Sequence, residues 1–307
     1  MGSETPILNI LLVFMLLTAA CTHEVDKHIA TLNIAEEQNS SELYSEVIGS
    51  GRPLVLLHGF GANVYTWKGI IPSLSANHKI IAIDLKGFGK SDKPQDNHYS
   101  ARDQAALVSS LIIDQQLSDF TIVGHSFGGA VALLTAIELK EKGYDKLQSM
   151  VLIDPVAYDQ SLPTFISVLR LPILGKILLQ LIPEEFQAKQ ILRLVYHDQS
   201  KITPETIHAY ATPLKESAAK WALQRTSDQL IPSDLSTIIS KYKTLYYPTL
   251  IIVGKFDNIV PPELPLKLSL DLPLAKLVTI SSGHAPQEES PAETTELILN
   301  FFALTGG

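Results

Sequence analysis

The sequence predicts an α/β fold, a mostly parallel β-sheet flanked by helices with a helical cap inserted into it. Three observations carry this. Short apolar runs without alternation recur along the chain, each stopped by a glycine or turn residue, as in strands buried on both faces. Segments with helical spacing separate them. One long stretch, 158–246, offers no strand-like run at all. Strand–helix–strand repetition implies parallel pairing with helices on both faces of the sheet.

Taken in order, residues 1–20 read as a leader rather than as part of the fold. The run 10–17 is wholly apolar, short for a span of about 20 residues, and small residues follow it. The segment Leu17-Thr18-Ala19-Ala20-Cys21 resembles a bacterial lipobox, in which the cysteine becomes the lipid-modified first residue. That resemblance implies lipidation at Cys21, a signal peptide over 1–20 and an exported protein held at a bacterial envelope membrane, facing the periplasm or the surface. Glu4 and the lack of Lys or Arg in the leading residues depart from the usual positive start, so an uncleaved anchor or a buried segment are competing readings. Residues 21–41 are polar and read as a tether.

Strands are expected at 44–48, 53–57, 79–84, 120–123, 150–153, 249–253 and 277–280. Helices are expected at 101–115, where Ala105, Val108, Leu111 and Ile112 form one stripe, at the Ala- and Leu-rich 127–142, and at 291–304. The α/β core therefore spans 42–157 and 247–307, interrupted by a cap over 158–246. The apolar segment 165–182 inside the cap reads either as cap core or as a lid over a greasy pocket. Arg170, Pro172, Gly175 and Lys176 interrupt it and disfavour a membrane span.

Composition excludes several function classes. A formal charge of -8 without a basic cluster disfavours nucleic acid as a partner. With Cys21 as the only cysteine, no intrachain disulfide and no Cys-based metal site can form. No cofactor or metal is expected, and the oligomeric state is not set by the sequence.

The chemistry centres on Gly124-His125-Ser126-Phe127-Gly128-Gly129, a Gly-x-Ser-x-Gly segment between an apolar strand and an Ala-rich helix. So sharp a turn forces Ser126 into a strained backbone, and side chains two residues to either side would collide. The hydroxyl then stands at a helix N-terminus, where negative charge is favoured. A hydroxyl needs a base, and His284 follows the last strand, on the carboxyl side of the strand ends where open α/β sheets place their ligands. The base needs an acid to fix its tautomer. Asp257, after the penultimate strand, is the first choice, and Asp154, which also ends a strand, is the alternative. The backbone N–H groups of Phe127 and of Phe60, in His58-Gly59-Phe60-Gly61, are the candidate oxyanion donors.

These blocks, with the glycine turn from Asp84 to Ser91, resemble the capped α/β-hydrolases. That group includes esterases, meta-cleavage-product hydrolases, haloperoxidase-like enzymes, epoxide hydrolases and dehalogenases. Its pattern Gly-His-x-Pro-x-x-Glu-x-Pro is met by Gly283, His284, Pro286, Glu289 and Pro291, with Gln287 where a second histidine is common. The resemblance implies the α/β-hydrolase fold from about residue 42 onward. A serine at position 126 disfavours the epoxide hydrolases and dehalogenases, which use aspartate there. The expected activity is cleavage of a small-molecule carboxylic ester through an acyl-enzyme. Hydrolysis of a C–C bond, or ligand binding without turnover, are the alternatives.

Overall fold

The computed structural model describes residues 41–305. The leader over 1–20, Cys21 and the tether to residue 40 lie outside the described residues.

In chain order the elements are β1 (Ser45–Ile48), β2 (Arg52–Leu57), α1 (Ile71–Leu74), β3 (His78–Ile83), α2 (Ala101–Asp114), β4 (Phe120–His125), α3 (Phe127–Glu141) and β5 (Leu147–Ile153). There follow α4 (Thr164–Leu169), α5 (Leu174–Leu181), α6 (Glu184–Val195), α7 (Pro204–Ala211), α8 (Ser217–Asp228) and α9 (Leu235–Tyr242). The chain ends with β6 (Thr249–Gly254), α10 (Glu263–Asp271), β7 (Ala275–Ile280), α11 (Pro286–Glu289) and α12 (Pro291–Thr305).

The strands form one sheet in the order β1-β3-β2-β4-β5-β6-β7. Every neighbouring pair is parallel except β1 and β3, so the antiparallel strand sits at an edge. The apolar runs are explained by burial on both faces: every residue of β4 and β6 is buried. Alternate side chains of one strand feed different cores. Val55 and Leu57 of β2 pack with α2 and α3, through Val108, Ile112, Val131 and Leu134. Leu54 and Leu56 face the other way, onto Trp67, Ile70, Ile298 and Phe302. The sheet is thus sandwiched by helices, with the first core the larger.

Local chemistry sets the helix boundaries. Ser100 accepts from the N–H of Asp103, and the Asp103 carboxylate accepts from the N–H of Ser100, a reciprocal cap that starts α2. Thr203 caps α7 with Pro204 at its first position. Between β5 and β6 the insertion carries helices and no strand among the described residues. Leu169, Leu179, Leu223, Ile238 and Tyr242 of these helices join the larger core, which seats the insertion over the carboxyl ends of the strands. No helix among the described residues is long and apolar enough to cross a membrane.

Candidate active site

Ser126 stands between the last residue of β4 and the first of α3. Its backbone has φ 53° and ψ −116°, a left-handed φ that an ordinary side chain rarely adopts. Neighbouring bonds hold it there: its N–H donates to Ile153 O at 2.9 Å, and its carbonyl accepts from Val156 N at 3.1 Å. The flanking glycines are required by space. A Cβ at Gly124 would lie 2.4 Å from Gly128 O, and one at Gly128 would lie 2.1 Å from Leu57 O.

Three loops at the carboxyl ends of β4, β6 and β7 bring the candidate residues together. His284 Nε2 lies 2.8 Å from Ser126 Oγ, and His284 Nδ1 lies 2.8 Å from Asp257 Oδ2. The other Asp257 oxygen accepts from the N–H groups of Ile259 and Val260 at 2.6 and 3.1 Å. Burial pushes the Asp257 carboxyl up, but the His284 imidazole and these two donors outweigh it and hold it below the usual carboxylate range. Asp154 is the reverse case. It is wholly buried, and burial followed by the nearby Asp257 charge raises it well above that range, against one N–H from Gly254. Of the two acids, Asp257 ionises first and is the one that touches the imidazole.

An imidazole held in this way can take the hydroxyl proton on one nitrogen while the other stays paired with a carboxylate. Phe127 is the first residue of α3, so its N–H has no partner within the helix. Phe60 and Phe127 both line the cavity at Ser126 and His284. The N–H of Phe60 donates to no backbone carbonyl among the described residues. Asp154, Asp257 and His284 also bring one donor atom each within 4.8 Å of one another, and the contact at Nδ1 is the hydrogen bond already given.

Two apolar cavities meet at Ser126 and His284. One, of about 1000 Å³ including its mouth, runs past Phe127, Leu134, Tyr158 and Ile238. The other, of about 1380 Å³, runs between α5 and α6 past Leu178, Leu179 and Leu192. Neither is lined by a lysine or arginine.

Further residues, some from the sequence motifs and some outside them, surround the reacting groups. His125 Nε2 donates to His284 O at 2.7 Å, and burial, with the neighbouring His284, lowers its pKa to about 3. His284 N donates to Val195 O, at the end of α6, at 2.7 Å. Glu288 is a buried carboxyl on the wall of the second cavity, accepting from Thr66, Tyr196 and Tyr210, and burial raises it. Gln287, at the position where a second histidine is common, is buried and donates to Thr66 Oγ1. Asp84 accepts from Val64 and Lys90 N–H groups and packs against Gly89, away from the reacting groups. Cys21 lies outside the described residues.

Residues 52–291 match the model of the alpha/beta hydrolase fold family. The chain belongs to that family. This alpha/beta hydrolase is 31% identical over 254 residues to the uncharacterized hydrolase YugF of Bacillus subtilis, covering 81% of this chain and 89% of the relative. It is 25% identical over 274 residues to 2-hydroxy-6-oxo-2,4-heptadienoate hydrolase of Pseudomonas putida, covering 83% and 91%. Among solved structures, the meta-cleavage product hydrolase of Pseudomonas fluorescens IP01 superposes with a TM-score of 0.71 at 26% identity, covering 86% of this alpha/beta hydrolase and 94% of that chain.

Proposed function

We propose that the protein is a serine hydrolase that cleaves neutral, apolar carboxylic esters through an acyl-enzyme on Ser126. The observation that carries this is the pair of apolar cavities meeting at Ser126 and His284. Two greasy arms either side of a nucleophile suit an acyl chain on one side and an alcohol group on the other.

Ser126 Oγ attacks the ester carbonyl while His284 Nε2 takes its proton. Asp257 stabilises the resulting imidazolium. The N–H groups of Phe60 and Phe127 hold the oxyanion, each such donor lowering the barrier by about 3 kcal/mol. The tetrahedral species collapses, and the alcohol leaves with the proton from His284. Water then gives a proton to His284 and attacks the acyl-enzyme; as the second tetrahedral species collapses and the bond to Ser126 breaks, His284 returns that proton to Ser126 Oγ and the acid is released.

The names of the relatives favour a second reading, hydrolysis of a C–C bond, over the ester reading. The heptadienoate named for the Pseudomonas putida relative is a carboxylate. A carboxylate taken into either cavity would meet no lysine or arginine on its walls, and in the second it would face Glu288. Burying an unpaired anion is costly, and this weighs for the neutral ester.

A fluorophosphonate probe and a substrate panel test the proposal. Ser126 is expected to be labelled, and Ser126→Ala to lose at least about 10³-fold in turnover while remaining folded. Faster turnover of a dienoate ring-cleavage product than of any nitrophenyl ester would install the second reading instead. Absence of labelling and of turnover would leave only ligand binding.

A further inference from the structure

Helix α5 is apolar on both sides. Its inner side places Gly175, Leu178 and Leu179 on the wall of the second cavity. Its outer side exposes Ile177 and Leu181 and, at its N-cap, Ile173, spaced four apart along one stripe, at 45%, 76% and 76%. Phe186, at the start of α6, is 56% exposed and also lines that cavity, so the cavity reaches the surface beside the stripe. A contiguous apolar stripe at a cavity mouth is not ordinary surface.

Charge identifies what covers it. The chain carries a net charge of -8, yet this surface is cationic. Arg170, Lys176, Lys189 and Arg193 are exposed and make no ion pair among the described residues. Of the two acids between them, Glu184 is paired with Lys220, and Glu185 lies beside His208. An apolar stripe flanked by unpaired cations fits the boundary between headgroups and acyl chains of an anionic bilayer. The forty residues that precede the described fold include the wholly apolar run 10–17.

We infer that the outer stripe of α5, with Phe186, docks the protein on an anionic lipid surface and opens the second cavity toward it. Docking is independent of the catalytic reading. Only the consequence that acyl substrates enter from the lipid side rests on that reading.

The test uses the full chain with Cys21→Ser, so that a single introduced cysteine carries an environment-sensitive fluorophore. One version bears Ile177→Cys on the stripe. The control bears Glu141→Cys, exposed at the far end of α3, about 20 Å from Ser126. Vesicles of phosphatidylcholine with one-third phosphatidylglycerol are expected to blue-shift the label at 177 and leave that at 141 unchanged. Adding Leu181→Asp should raise the vesicle concentration for half-maximal shift by about tenfold or more. Ser126→Ala should abolish turnover and leave the shift intact, which separates failure of docking from failure of catalysis. Equal shifts at both sites, no shift at 177, or no effect of Leu181→Asp would overturn the inference. So would a shift that appears without vesicles and rises with protein concentration, since a second copy would then cover the stripe.

Discussion

Replacing Glu289 by Gln should cost about 3 kcal/mol of stability. The side chain is 2% exposed, and its two oxygens accept three backbone bonds. Oε2 takes the N–H groups of His197 and Gly283, each at 2.9 Å, and Oε1 takes that of Asp198 at 3.0 Å. A bond to a charged group is worth roughly 1.5–3 kcal/mol. Glutamine keeps one oxygen, best turned to the two-donor side. Its NH₂ then faces the Asp198 N–H, donor against donor, which forfeits one charged bond of about 2 kcal/mol. The two that remain weaken by roughly 0.5 kcal/mol each on losing the charge. Urea unfolding with an unchanged m-value gives the difference from the midpoint shift. Because Gly283 precedes His284, kcat should fall by about tenfold as well. A stability loss under about 1 kcal/mol would refute the reasoning, for it would mean that the three bonds carry no special strength.

Two further outcomes follow from buried titratable groups. Asp257→Asn should lower kcat by about 10⁴-fold, as expected when the tautomer is no longer fixed, whereas Asp154→Asn should stay within about tenfold of wild type. The opposite order in steady-state kinetics would transfer the acid's role to Asp154. His125, with its pKa lowered to about 3, stays neutral in the fold where the unfolded chain would be protonated, below about pH 6.5. The unfolded state binds more protons there, so stability is lost as pH falls from about 6.5 toward 3, by up to about 1.4 kcal/mol per unit from this residue. In His125→Gln that share of the slope should vanish. Parallel stability–pH curves for the two proteins would contradict it.

What the sequence made legible divides by physical cause. The sheet was readable because β2 to β6 are buried on both faces, and burial of that kind leaves continuous apolar runs. The Ser126 turn was readable because the glycines answer to backbone atoms 2.4 and 2.1 Å away, a demand no other residue meets. The acid was ambiguous because Asp154 and Asp257 both follow strands closely, and only the contact at His284 Nδ1 separates them. Helix α10 left no helical signature. Its sequence Glu-Leu-Pro-Leu-Lys-Leu-Ser-Leu-Asp alternates with period two, yet it forms a helix with Leu266 and Leu270 in solvent and Leu268 buried. Glu288 was silent for another reason: its partners Thr66, Tyr196 and Tyr210 come from remote parts of the chain, and only folding brings them to it.

The bond from His284 N to Val195 O, with the Glu289 clamp on His197 and Asp198, has a consequence for how such enzymes can be altered. The end of α6 is mortised into the loop that bears the imidazole. A graft that swaps the whole roof for a foreign one would unseat the imidazole, whereas recutting only 164–181 would reshape the entrance and leave the hinge of the chemistry where it stands.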